Sequence, residues 1–255
     1  MATATANLAL CQWPSSSFTS LRMHVRLSCR AQNLSVSAVD KTLCQIKNYG
    51  VIACLRANSA EVAMEAANAA ISGGVSVLEI VVSTPGVFEV LQQLVKEHPT
   101  MALGVGTVLR IEDAKTAVNA GAKFLMSPAI VKDIMILDDV QSGEVLYIPG
   151  TMTPTEILFA CDAGAKMVKI YPVSAVGGFQ YISALKKSFP HVSMVASQGI
   201  TIDAIGEYIF RGASSVVLSD AIFDKEAIAQ HNFSKISKLA NSAALLANKA
   251  VNRLC

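Results

Sequence analysis

From residue 50 onward, short apolar runs and amphipathic stretches alternate along the chain, and few folds can absorb such a pattern. The apolar runs are "VIACLR" (51–56), "SVLEIVV" (76–82), "MALGVG" (101–106), "KFLMS" (123–127), "VLYIPG" (145–150), "MVKIYP" (167–172), "VSMVAS" (192–197) and "SSVVLS" (214–219). Runs this short and this apolar suit strands covered on both faces. Between them lie "SAEVAMEAANAAISGG", "PGVFEVLQQLVKEHP", "RIEDAKTAVNAGA", "IVKDIMILDDVQSG", "TPTEILFACDAGA", "GFQYISALKKSFP" and "TIDAIGEYIFRGA". Each carries apolar residues at three- and four-residue spacing, and several stop at a glycine such as Gly121, Gly164 or Gly212. Eight strands separated by seven helices, with an eighth helical pattern after the last strand, predict a single α/β domain: a (β/α)8 TIM barrel. Residues 37–48 read as an extra helix ahead of the barrel, and "NFSKISKLANSAALLANKAVNRL" as its last helix. A doubly wound open sheet is the alternative, but an even alternation favours closure.

The first 36 residues do not share this pattern. "MATATANLALCQWPSSSFTSLRMHVRLSCRAQ" is rich in Ala, Ser and Thr, holds Arg22, Arg26 and Arg30, and no acid occurs before Asp40. That composition reads as an organellar transit peptide, and its serine content favours a chloroplast over a mitochondrion, with cleavage near residues 28–36. A disordered extension is the plainer alternative. The division is therefore a leader over 1–36 and a barrel over 37–255. The leader also accounts for the sign of the net charge, which is +2 for the whole chain. Without its three arginines the rest holds 18 basic against 19 acidic residues, a net of −1. No basic stripe suggests nucleic acid, and "NLALC" is too short to span a membrane. None of the six cysteines forms a C-x-x-C pair, so neither a metal site nor a disulfide framework emerges, and Cys54 and Cys161 read as small core residues.

In such barrels chemistry sits where strands end and loops begin. The polar residues there are Arg56, Ser83, Thr107, Ser127 with Pro128, Thr151, Ser197 with Gln198 and Gly199, and Ser219 with Asp220. Two charged residues stand inside apolar runs instead. Met167, Lys169 and Tyr171 share one face of their strand, while Lys166 lies on the other face at its solvated start. An ammonium group removed from water is costly, so Lys169 either snorkels, forms a structural ion pair, or serves as an amine that attacks a ketone to give a Schiff base. Glu79 interrupts "VLEIVV" in the same way and could shuttle protons for such an amine, or simply pair with a buried cation. Arg56 offers a fixed fork for a carboxylate or phosphate, although a solvated strand end is as natural. Thr107 in "GVGTV" could hold a carboxylate, or could cap the next helix.

Taken together, "VIACLRANS", "GGVSVLEIVVSTPG", "GVGTVL", "MSPAI", "IPGTMTPTE" and "KIYPVSAVGG" resemble the class I aldolases that cleave 2-keto-3-deoxy-6-phosphogluconate and 4-hydroxy-2-oxoglutarate. The resemblance runs in order over about residues 38–235 and points to a plant plastid-type member. It implies a (β/α)8 barrel, usually a homotrimer, that is a carbon–carbon lyase yielding pyruvate and an aldehyde without metal or other cofactor. It matches Lys169 to the Schiff-base lysine, Glu79 to the general acid/base and Thr107 to a substrate-binding residue. Many members have an arginine where this chain has Ser83; others place one where Arg56 stands, so Arg56 would take the keto-acid carboxylate. Pro128, Ser197, Gly199 and Ser219 complete the substrate-binding set. A barrel that has drifted to a binding or regulatory role is the alternative.

The departures from that family fall at the last two strand ends. Where Thr-Gly-Gly and Gly-Ser would form a phosphate cradle from backbone N–H groups, this chain has Ser197-Gln198-Gly199 and Ser219-Asp220. Gln198 adds bulk, and Asp220 adds a negative charge while capping the following helix. An opposing charge a few ångströms from a phosphate costs about 1–4 kcal/mol, so an unphosphorylated keto acid is the expected substrate.

Overall fold

The computed structural model describes residues 37–253; the leader over 1–36, with Cys11 and Cys29, and the terminal Cys255 lie outside them. Nine parallel strands form one sheet: β1 (Val51–Leu55), β2 (Val77–Val81), β3 (Ala102–Gly106), β4 (Phe124–Met126), β5 (Leu146–Ile148), β6 (Gly150–Thr151), β7 (Met167–Ile170), β8 (Ser193–Ser197) and β9 (Ser215–Leu218). Their order is β5-β4-β3-β2-β1-β9-β8-β7-β6, so sequence neighbours are space neighbours and β1 pairs with β9. A doubly wound sheet would reverse its order at a switch point, and this one does not. The two ends of the sheet, β5 and β6, belong to one chain segment separated by Pro149 alone. The result is a nearly closed barrel of the predicted class.

The fifth apolar run is therefore two strands rather than one. Proline has no N–H and interrupts the ladder at position 149, so β5 pairs with β4 while β6 pairs with β7. The Pro149 carbonyl still accepts from Lys169 N at 2.8 Å, which ties the seam to the strand bearing the buried lysine. Gly150 is required beside it, because a Cβ there would strike the backbone of Pro128.

The helices surround this sheet: α1 (Ala38–Tyr49), α2 (Ala60–Ser72), α3 (Val87–Glu97), α4 (Ile111–Asn119), α5 (Lys132–Met135), α6 (Asp138–Gln141), α7 (Pro154–Asp162), α8 (Phe179–Ser188), α9 (Ile205–Phe210), α10 (Lys225–Ala229) and α11 (Phe233–Val251). The stretch "IVKDIMILDDVQSG" forms two single turns, with Asp138 and Asp139 favouring a fresh start for the second. Helix α10 was not anticipated as a separate element; at five residues it is too short to display a period.

Side-chain parity divides the core in two. Outward-facing strand residues pack against the helices. Inward-facing Ile52, Val77, Ala102, Phe124, Leu146, Met167, Val195 and Val217 form a second cluster with Val39 and Ile46 of α1. The extra N-terminal helix is thus the plug that closes the barrel floor. Gly50, with φ 68°, turns the chain from α1 directly into β1.

Candidate active site

One layer above this apolar floor, the inward rows turn polar. The barrel opens there into a cavity of about 590 Å³ at the C-terminal ends of the strands. Its deepest charged groups are Lys169 on β7, 5% exposed, and Glu79 on β2, fully buried. Lys169 Nζ lies 3.9 Å from Glu79 Oε1, an ion-pair distance too long for a hydrogen bond. Neither oxygen of Glu79 has a hydrogen-bond partner among the described residues. A buried pair of this kind adds little to stability, because desolvation offsets the attraction. What it offers is chemical: an amine beside a carboxylate whose oxygens are free to exchange protons with a molecule in the cavity.

The glycines of "GVGTV" explain how Glu79 fits. A Cβ on Gly106 would overlap the Glu79 carboxylate, and one on Gly104 would overlap Phe124. Gly106 therefore makes room for the acid rather than for a ligand. Thr107 follows in the left-handed region at φ 59° and lines the cavity. It does not cap α4, whose N-cap position is Arg110.

Tyr171 shares the inward face of Lys169 and sets its ring centroid 5.3 Å from Nζ, close enough for a cation–π contact. Cys54 is the register partner of Glu79 on the neighbouring strand and also lines the cavity, so it belongs to the site and not simply to the core. Burial, and then the Glu79 carboxylate, pushes its thiol well above the usual range. It stays protonated and is a wall of the site rather than a nucleophile. Parity with Ile52 and Arg56 was the available signal for Cys54, and parity with Lys169 for Tyr171.

Around the rim stand Arg56, Pro128, Ser197, Gly199 and Ser219, so every residue singled out as catalytic or substrate-binding lines this one cavity. Ser83 is exposed and does not. Buried Thr84 ties the loop after β2 to the loop that carries Arg56, its Oγ1 accepting from Ala57 N at 3.3 Å. Pro128 is held from behind: the Tyr147 hydroxyl accepts from Val131 N at 3.0 Å and bonds Ser127 Oγ at 2.7 Å. Burial pushes that phenol up, so it remains a neutral clamp.

At the phosphate end the structure differs from the sequence expectation at Asp220. Asp220 does not cap the next helix; Asp224 does, accepting from Ala227 N at 2.8 Å. Asp220 Oδ2 lies instead 3.2 Å from Lys225 Nζ, and both side chains are exposed and line the cavity. Lys225, missed because α10 itself was not legible, offsets the charge of Asp220. Gln198 does occupy the rim, with φ 87°, and its Oε1 accepts from the Ser174 hydroxyl. Among the described residues no group of three or more His, Cys, Asp or Glu is placed to hold a metal ion, and no helix is long and apolar enough to cross a membrane.

Comparison with known proteins adds an independent line. The family model described as KDPG and KHG aldolase matches residues 42–239. The 2-dehydro-3-deoxy-phosphogluconate aldolase of Treponema pallidum is 30% identical over 195 residues, covering 76% of this chain and 92% of its own. The KHG/KDPG aldolase of Escherichia coli K12 is 28% identical over 183 residues, covering 72% and 85%. Among solved structures, KDPG aldolase from Legionella pneumophila, with pyruvate captured at low pH as a covalent carbinolamine intermediate, superposes with a TM-score of 0.72 at 28% identity. That superposition covers 81% of this chain and 97% of the other.

Proposed function

The chain belongs to the KDPG and KHG aldolase family and is an aldehyde-lyase, and from that premise we propose that it cleaves an unphosphorylated 2-keto-4-hydroxy acid, such as 4-hydroxy-2-oxoglutarate, through a Schiff base on Lys169. The observation that carries this reading is the buried Lys169 amine beside the unpartnered Glu79 carboxylate at the base of the cavity. The covalent carbinolamine of the Legionella relative supports it, since an amine facing a keto acid is what such an adduct requires.

The Lys169 amine adds to the C2 ketone to form a carbinolamine, and loss of water leaves the iminium. Glu79, within reach of both, supplies the proton for departing water and then accepts the proton of the C4 hydroxyl. The C3–C4 bond breaks, its electron pair passes into the iminium to give an enamine, and the aldehyde leaves. Glu79 returns its proton to C3, and water releases pyruvate and the free amine. Arg56 and Thr107 hold the substrate carboxylate on the rim, Pro128 and Ser197 shape the wall, and Gly199 and Ser219 border the far end. Gln198 in that far end, hydrogen-bonded to Ser174, supports the unphosphorylated substrate.

The leader composition supports import into a plastid with removal of residues 1–36, and the family resemblance supports a homotrimer. The enzyme reading is tested by coupling pyruvate formation from 4-hydroxy-2-oxoglutarate to a pyruvate-specific reductase. Wild type should turn over and Lys169→Met should fall to background; equal rates for the two proteins would refute it.

A further inference from the structure

Strand order decides which walls of the cavity face each other. Strands β2 and β7 stand on opposite sides of the barrel, so Glu79 and Lys169 meet across its axis. Arg56 and Thr107, which hold the keto-acid carboxylate, follow β1 and β3, the two strands that flank β2. A substrate joined through C2 to the Lys169 amine therefore sends C1 toward the β1–β3 wall. Its other arm, C3 with C4, is left for the β7 side. Tyr171 stands there. It faces inward two residues after Lys169, roughly 6–7 Å nearer the mouth, and is half-buried on the cavity wall. The hydroxyls of Tyr147 and Tyr181 are engaged by Ser127 and by the Met152 carbonyl. That of Tyr171 enters no hydrogen bond among the described residues, and its ring centroid is 5.3 Å from the amine. The steps set out above give this phenol no task.

We propose that the Tyr171 hydroxyl is a further catalytic group, which donates a hydrogen bond to the C4 oxygen of the substrate as the C3–C4 bond breaks. The proposal rests on the aldolase reading above and adds the donor that serves the aldehyde half. Lys169 Nζ lies 3.9 Å from Glu79 Oε1 and 5.3 Å from the Tyr171 ring centroid, so an oxygen on the second carbon from C2 can reach both groups. That oxygen gives its proton to Glu79 and accepts a bond from Tyr171 on a remaining lone pair. Charge that gathers on it while it becomes the aldehyde carbonyl meets a donor already in place. Tyr171 keeps its own proton throughout. Formation of the imine and removal of a proton from C3 involve no C4 oxygen, so neither step needs the phenol.

The test is Tyr171→Phe, which keeps the ring beside Lys169 and removes only the hydroxyl. Exchange of the pyruvate methyl protons in D2O, followed by NMR, uses Lys169 and Glu79 but has no C4. Cleavage of 4-hydroxy-2-oxoglutarate and of 2-keto-3-deoxy-6-phosphogluconate, each with a C4 hydroxyl, uses the whole site. Y171F should exchange at the wild-type rate while its kcat for cleavage falls about 10²-fold, the lower end for loss of one such donor. Unchanged cleavage overturns the assignment. So does a parallel loss of exchange and cleavage, which would place the hydroxyl at the amine or in the packing. A wild type that exchanges but cleaves neither substrate overturns it as well. A wild type that does not exchange refutes the imine on Lys169 itself, a failure visible before the variant is compared, and the proposal falls with it.

Discussion

At the level of single residues, the site depends on the absence of one side chain as much as on the presence of two. Glu79 reaches its place only because Gly106 has no Cβ. Gly106→Ala should therefore push the carboxylate away from Lys169 and lower kcat on the order of 100-fold, the lower end of general acid–base contributions. Circular dichroism should show the fold intact, and pyruvate should still be trapped, slowly. Glu79→Gln should cost about 10²–10⁴-fold in kcat by the same reasoning; a loss below tenfold would remove Glu79 from the mechanism. On the rim, Gln198→Gly combined with Asp220→Ser opens the far end and leaves Lys225 without its partner. The double variant should gain kcat/KM on 2-keto-3-deoxy-6-phosphogluconate relative to 4-hydroxy-2-oxoglutarate, and an unchanged ratio would show that these residues do not set phosphate preference. Lys169 and Glu79 were legible from sequence because a charge among apolar neighbours is costly enough to need a reason, and strand parity then set Lys169 apart from Lys166. Cys54 was less so, because a cysteine in an apolar run looks the same whether it faces a helix or a cavity.

Among the secondary elements, side-chain caps and clamps fix the segments that follow the strands. Helix α7 follows the seam at Thr151 and opens with a capping box: Glu156 N bonds Thr153 Oγ1 at 3.3 Å, while Glu156 Oε2 accepts from Met152 N and Thr153 N, both at 2.7 Å. Thr153→Ala should cost about 1 kcal/mol, or about 2–4 °C in Tm for a domain of this size. The bond from Met152 N, chiefly, holds the Glu156 carboxyl below its ordinary value of 4.5. A depressed carboxylate stabilises above its unfolded value and loses that contribution as pH falls through the folded one. Differential scanning across pH should show the Tm gap between wild type and Glu156→Gln at full size near pH 7 and closing below about pH 4.5; a gap independent of pH would contradict the assignment. The βα alternation was readable because each unit imposes its own local period. The split at Pro149 and the helix α10 were not, since one depends on which neighbour each half pairs with and the other is too short to repeat. Lys225 was lost with α10.

For the molecule as a whole, the barrel separates stability from chemistry along its axis. Its floor is apolar and closed by α1 through Val39 and Ile46, and its mouth carries the charged and polar groups. Ile46→Ala, at a fully buried position, should cost about 2–5 kcal/mol in denaturant unfolding yet leave pyruvate trapping intact below the melting transition. A loss of trapping in the folded variant would mean that floor and mouth are coupled. If Lys169 is the amine that forms the imine, borohydride reduction should fix pyruvate to it. Wild type and Lys169→Met are incubated with saturating pyruvate and borohydride, and their intact masses and peptide maps are compared. One pyruvate-derived adduct per wild-type chain is expected, located on Lys169, and none on the variant. An adduct on another lysine, or none on wild type, would contradict it.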